Sequence, residues 1–224
     1  MKRALLVGAT GLIGSEVILR GRARDNLQLL ALARREIDFP PGAQMEAILA
    51  QPDQWPQAIG RTRPDVLLCA LGTTWRKSGQ SEEGFRAVDN DLVLDTAHAA
   101  HKAGARHGIF VSAAGADAHA KNFYLGVKGK VDEELAKVGF ERLDILRPGL
   151  LRGERGADRR LKEKLAIALS PVTDMVLHGR FRAFRSIRAT TVAQAILALA
   201  QEKARGRFVH GNEAILRAAR RFGD

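Results

Sequence analysis

Short apolar runs recur along the chain as far as residue 150, each followed by a polar or glycine-rich break. Arg3–Val7, Leu27–Ala33, Asp65–Ala70, Gly108–Val111 and Leu143–Leu146 are nearly unbroken and predict buried strands, with a weaker strand at Met45–Leu49. Between them the period changes. Ile13, Val17, Ile18 and Gly21 keep one face of a predicted helix apolar, Glu82–Ala103 reads as a long helix closed by Gly104, and Phe123–Lys137 as a helix followed by Gly139. Pro40-Pro41-Gly42 marks a loop. Strands this apolar, alternating with helices, predict a parallel sheet covered on both faces, and right-handed crossovers make it doubly wound. Beyond residue 150 the alternation weakens. Leu161–Leu169, Thr190–Lys203 and Asn212–Phe222 predict helices, with a strand near Phe208-Val209. The expectation is an α/β, Rossmann-like doubly wound parallel sheet in a single domain, residues 1–224.

Composition narrows the class. The chain has 224 residues, 46% of them apolar, which is enough for one well-filled core without disulfide or metal. Cys69 is the only cysteine, so an internal bridge is excluded, and its place in an apolar run suggests inert packing. No apolar stretch is long enough to span a membrane, and Met1-Lys2-Arg3 leads straight into the first strand without a secretory signal; the expectation is a cytoplasmic protein with no membrane partner. The net charge of +11 is concentrated beyond residue 141. Aromatic residues rarely interleave with the basic ones, so a nucleic-acid platform is not favoured; an anionic small-molecule substrate and a merely arginine-rich surface both stay open.

Gly8-x-x-Gly11-x-x-Gly14 lies between the first strand and the first helix. In that context, bare backbone lets a pyrophosphate approach the helix N-terminus, where amides without intrahelical partners and the helix dipole receive it. The second strand ends in Arg34-Arg35 rather than in a carboxylate, which favours a 2′-phosphate and hence NADP(H) over NAD; of the two, Arg34 is the preferred contact. Tyr124-Leu-Gly-Val-Lys128 sets a phenol and an ammonium at i and i+4 on one helix face. The ammonium is expected to favour the phenolate, which would let Tyr124 exchange a proton with a carbonyl or alcohol.

Several segments in register carry a family resemblance: Gly8-Ala-Thr-Gly-Leu-Ile-Gly14, Cys69-Ala-Leu-Gly-Thr-Thr74, Phe85-Arg-Ala-Val-Asp89, Val111-Ser-Ala-Ala-Gly-Ala-Asp117, Tyr124-Leu-Gly-Val-Lys-Gly129 and Leu146-Arg-Pro-Gly-Leu150. With these the chain resembles the atypical branch of the short-chain dehydrogenase/reductase superfamily, the branch of the Tat-interacting oxidoreductase and of small bacterial epimerase/dehydratase-like proteins. The resemblance implies a cofactor turn at Gly8, Thr10, Gly11, Leu12, Ile13 and Gly14, and 2′-phosphate contacts at Arg34 and Arg35. It implies an adenosine-side loop at Leu71, Gly72 and Thr73, and a nicotinamide-side turn at Arg147, Pro148, Gly149 and Leu150. Tyr124 and Lys128 match its catalytic pair, the lysine also holding the nicotinamide ribose. A small substrate-side cap over residues ~151–189 is implied in the same way.

The sequence also departs from that family. Ser112, followed by Ala113, is the one serine left where two are frequent, and it faces either the site or the sheet. Asp89 stands where many members have asparagine, with Asn90 one residue off-face. The carboxylate often found near the adenine has no clear match at Ala50, Gln51 or Asp53. Trp75 reads equally as pocket lining or as a loop anchor. His98 and His101 at i, i+3 read as a solvated helix face rather than a metal site, and Arg152, Arg155, Arg159 and Arg160 as solvated charge more than as an anion site. The sequence thus supports an NADP(H)-dependent oxidoreductase working on a small carbonyl or alcohol through Tyr124, Lys128 and Ser112. The alternative is an NADP(H)-binding regulatory or scaffold protein with little turnover. Oligomeric state and substrate identity are not legible.

Overall fold

The computed structural model describes residues 1–21, 26–37, 39, 45–153 and 184–222. The strands are β1 (Lys2–Val7), β2 (Leu27–Ala33), β3 (Glu46–Leu49), β4 (Val66–Cys69), β5 (His107–Val111), β6 (Arg142–Arg147), β7 (Leu151–Arg152), β8 (Ile187–Arg188) and β9 (Gly206–Gly211). The helices are α1 (Leu12–Gly21), α2 (Trp55–Thr62), α3 (Glu82–Arg86), α4 (Val93–Lys102), α5 (Phe123–Leu135), α6 (Ala189–Leu199) and α7 (Asn212–Arg220). Seven strands form one sheet in the order β3-β2-β1-β4-β5-β6-β9, and all neighbours run parallel. This is a Rossmann-like single domain. The central strands are apolar on both faces because helices cover both. One core joins the sheet to α1, α6 and α7 through Ala4, Leu6, Val17, Ile109, Val192, Ile196 and Ile215. The other joins it to α2, α4 and α5 through Leu5, Val7, Ile59, Leu67, Ala97, Phe110 and Val131.

The strand order reverses between β1 and β4, where Val7 lies opposite Cys69. Loops leaving the carboxyl ends on either side of such a switch point diverge and leave a crevice.

Three features differ from the pattern read in the sequence. The helix expected over Glu82–Ala103 is α3, a π-helical turn over Ala87–Leu92, and α4. Its buried positions Phe85, Asp89 and Val93 recur at fours, and the wider π turn absorbs the phase drift that this spacing gives a straight α-helix. The sequence reading passed over α2, which buries Trp55, Ile59 and Thr62 and carries proline in its first turn. Most of the cap expected over residues ~151–189, the helix expected at Leu161–Leu169, and Arg155, Arg159 and Arg160 lie outside the described residues. Of that region, β7 and β8 form a separate parallel pair, with Leu151 opposite Ile187.

Behind the crevice, the loop after β5 is pressed onto α5. A Cβ on Gly129 would collide with the backbone of Asp117 and Ala118. The Asp117 amide donates to the Leu125 carbonyl at 3.2 Å, and the Ala114 amide to that of Pro148 at 2.8 Å.

Candidate functional site

The crevice is a cavity of about 660 Å³, lined by Thr10–Ile13 and Ser15 after β1, Arg35 after β2, Ala70–Trp75 and Lys77 after β4, Val111 at the end of β5 and Ser112 just after it. Phe85, Asp89, Phe123, Tyr124, Lys128 and Leu151 complete the lining. That size is typical of cofactor pockets.

The three glycines of the first turn do different work. Gly8 sits at φ +83°, and a Cβ there would strike the Ala70 carbonyl; a Cβ on Gly14 would strike the Gly8 carbonyl oxygen. These two are demanded by strand–strand and helix–strand proximity. Gly11 has only the Gly8 oxygen close by, at 3.1 Å from its ideal Cβ, and lines the open cavity. The first turn of α1 therefore offers main-chain amides to the crevice, and the residues present fit a dinucleotide pyrophosphate.

At the end of β2, Arg34 and Arg35 are both exposed, and it is Arg35 that lines the cavity. Leu71, Gly72 and Thr73, in the loop after β4, line it too. The nicotinamide-side turn is not part of the lining formed by the described residues. Arg147 reaches the Asp132 carboxylate at 2.8 Å, the Gly149 amide donates to Asn212 Oδ1 at 2.8 Å, and Leu150 is exposed.

Helix α5, capped by the Asn122 side chain accepting from the Leu125 amide, presents Tyr124, Lys128 and Asp132 at i, i+4 and i+8. Lys128 is buried and its Nζ lies 2.7 Å from Asp89 Oδ1. The other Asp89 oxygen accepts the Thr73 amide at 2.7 Å, so the π turn ties α5 to the loop after β4. Asn90 points elsewhere and donates to Asp91. Burial alone would lower the Lys128 pKa, but Asp89, helped by Tyr124, holds it above the ordinary lysine value. Tyr124 shows the reverse of the expected shift. Partial burial pushes its phenol above the ordinary tyrosine value, although 41% of the residue is exposed, and Asp89 opposes the pull of Lys128 toward the phenolate.

Ser112 lines the cavity but donates its hydroxyl proton to Asp132 Oδ2 at 3.0 Å. The same carboxylate oxygen accepts Arg147 Nε at 2.8 Å. Burial raises the Asp132 pKa despite both partners. The serine thus lines the site while its proton is directed to a carboxylate of α5.

Three aromatic residues cluster beside Tyr124. Trp75 packs edge-on to Phe123 with ring centres 6.2 Å apart, and Phe85 edge-on to both Phe123 and Tyr124 at 5.6 Å. Trp75 is 49% exposed and lines the cavity. Cys69 is buried, its thiol pushed up to about 12 by burial, which matches inert packing. His101 stacks edge-on against Phe140 at 5.5 Å.

The sequence reading missed the Asp89–Lys128 pair and the Asp132 junction with Ser112 and Arg147. The spacing Tyr124, Lys128, Asp132 was a signal for the second, since it repeats at four along one helix.

The comparisons agree with this geometry. The family model described as NAD(P)H-binding matches residues 8–203. Protein FMP52, mitochondrial, of Eremothecium gossypii is 35% identical over 219 residues, 95% of each chain. Its namesake from Saccharomyces cerevisiae is 34% identical over 154 residues, 67% of this chain and 66% of that one. Among solved structures, the ADP-L-glycero-D-manno-heptose-6-epimerase of Helicobacter pylori has a TM-score of 0.68 at 15% identity, covering 100% of this chain and 83% of that one. MoeE5 in complex with UDP-glucuronic acid and NAD has a TM-score of 0.69 at 14% identity, covering 92% and 75%. The oxidoreductase ylbE of Lactococcus lactis has a TM-score of 0.65 at 19% identity, covering 95% and 94%. These likenesses show the fold.

One expectation is overturned. The chain was read as cytoplasmic, whereas the FMP52 relatives are named as mitochondrial proteins. Composition and apolar patterning report folding and membrane insertion, not a cellular address. Among the described residues no helix is long and apolar enough to cross a membrane. With the glycine turn, the crevice and the match across most of its length, the chain belongs to the NAD(P)H-binding family of Rossmann-type proteins.

Proposed function

We propose that the protein is an NADP(H)-dependent oxidoreductase of the atypical short-chain dehydrogenase type, near the Tat-interacting oxidoreductase, acting on a small carbonyl or alcohol. The observation that carries this is convergence: the bare first turn of α1, Arg35, Tyr124 and Lys128 all open on one cavity. Gly11 with Thr10, Leu12 and Ile13 would receive the pyrophosphate, and Arg35, with Arg34 beside it, the 2′-phosphate. Lys128 would hold the nicotinamide ribose. When bound, the reduced nicotinamide supplies hydride to the carbonyl carbon. Tyr124 gives its phenol proton to the carbonyl oxygen, and water returns a proton to the phenolate. Phe85, edge-on to Tyr124, and Phe123 beside it hold the phenol in place at the cavity, where solvent still reaches it.

A second reading, a cofactor-holding regulatory or scaffold protein with little turnover, draws on Ser112. Its hydroxyl donates to Asp132 and so is not directed at a substrate oxygen. Parallel fluorescence titrations with NADPH and NADH, followed by a panel of aldehydes and ketones, test both readings. NADPH preference with oxidation of NADPH by at least one carbonyl supports the oxidoreductase. Tight NADPH binding with no oxidation supports the second reading. Indifference to both nucleotides at millimolar concentration overturns both.

A further inference from the structure

We propose that Asp89 is a positioning residue that cancels the charge of Lys128 and so keeps Tyr124 as a proton-bearing phenol, the form whose proton carbonyl reduction consumes. The inference rests on Tyr124 as the proton donor, but its electrostatic content can be measured without turnover.

The geometry leaves Asp89 little freedom. It is 1% exposed, one oxygen is 2.7 Å from the Lys128 ammonium and the other accepts the Thr73 amide at 2.7 Å. A lone cation beside a phenol pulls its pKa down by roughly one to three units, and the lower end applies here because Tyr124 itself is 41% exposed. A close ion pair presents only a dipole to the third group. An asparagine at this place could accept from only one of these two donors, its amide nitrogen turned toward the other, and would lose the compensation, so the carboxylate is what distinguishes this site. Other charged groups are poor substitutes for Lys128. Arg35 and Lys77 line the same cavity and Arg86 lies over the Phe123 ring, but all three are exposed and screened by solvent. Asp132 is paired with Arg147, and Cys69 stays a neutral thiol. The upward displacement of the Tyr124 phenol, with burial first and Asp89 opposing Lys128, is in accord.

Tyr124 is the chain's only tyrosine, so ultraviolet phenolate absorbance of the whole protein titrates this one group. The range is set by circular dichroism showing the fold intact. Asp89→Asn, whose amide oxygen can still accept from Thr73, is expected to lower the phenolate midpoint by about one pH unit or more. The double variant Asp89→Asn/Lys128→Gln, neutral like the original pair, is expected to keep the midpoint within about half a unit of the unaltered protein. A midpoint unmoved or raised in Asp89→Asn overturns the proposal. So does a double variant raised by about one unit or more, since Lys128 would then be acting uncompensated in the unaltered protein. If Asp89→Asn does not fold, the double variant decides alone. Should the midpoints move as expected while Tyr124→Phe still reduces carbonyls normally, the catalytic reading fails and the charge compensation stands.

Discussion

Two buried charge clusters, one within the sheet and one between the helices beside its carboxyl edge, are built differently. At the first, Asp144 on β6 is fully enclosed and its two oxygens take four donors: Arg142 Nε at 2.6 Å and a terminal guanidinium nitrogen at 3.0 Å, His107 Nε2 at 2.7 Å and His210 Nε2 at 2.6 Å. Arg142 is held further by the Ala204 carbonyl and lies over the Phe208 ring at 4.4 Å. This carboxylate has reached its accepting capacity, and the cluster joins β5, β6 and β9 without opening on the crevice. At the second, Lys128 meets one carboxylate oxygen, and cavity lies beyond it. The saturated cluster fixes strands; the one left open toward the crevice can still act on a bound molecule. A perturbed pKa alone does not separate the two, since both clusters show one.

The contrast can be broken from either side. The largest effect is expected at the open site: Tyr124→Phe should reduce turnover by about 10²–10⁴-fold while NADPH affinity changes only a few-fold, read from steady-state kinetics and fluorescence titration. At the saturated cluster, Asp144→Asn strips a buried cation of its partner. It should cost about 3–5 kcal/mol in urea unfolding with NADPH affinity of the folded protein unchanged. Acid should reveal the same cluster. The Asp144 carboxyl is held well below the usual carboxylate range by its histidine and arginine donors, against the opposing effect of burial. Burial lowers the pKa of His107, with Lys2 and Arg142 adding to it and Asp144 opposing. At both groups the folded protein binds fewer protons than the unfolded chain, so stability falls with pH. The loss begins below ~6.5 for the histidine and continues below ~4 for the carboxylate. Thermal midpoints across that range should drop, and His107→Gln should flatten the upper part. The smallest effect concerns Cys69. With its thiol near 12, an alkylating reagent at neutral pH should leave the folded protein unlabelled, and rapid labelling would contradict its burial.

Much of the frame was legible in the chain because burial on both faces writes itself as unbroken apolar runs. Leu27–Ala33 is the clearest instance, its predicted and observed limits being the same. Short or half-exposed elements left weaker traces. Strand β3 is mostly exposed, and α2 spans too few residues for its period to stand out. The site was legible at the first turn, where Gly8 and Gly14 answer to packing and Gly11 borders the cavity, because all three needs leave the same mark of bare backbone. It was less legible where charge balance matters. Asp89 was noted as a departure from a family pattern, but its pairing with Lys128 depends on a π turn that local propensity does not encode. Likewise the inward hydrogen bond of Ser112 required Asp132 from a helix twenty residues later.

The close seating of Gly129 on the loop at Asp117 and Ala118 has a consequence for anyone seeking to redirect the protein. The helix bearing the phenol cannot slide or tilt without dragging the chain that leaves β5, so its reacting atoms stay registered to the sheet. Diversity introduced at Lys77, exposed in the loop after β4, should alter which molecules are admitted while leaving the proton-handling apparatus undisturbed. Libraries placed there should be rich in altered selectivity, and libraries placed around Gly129 rich in misfolded clones.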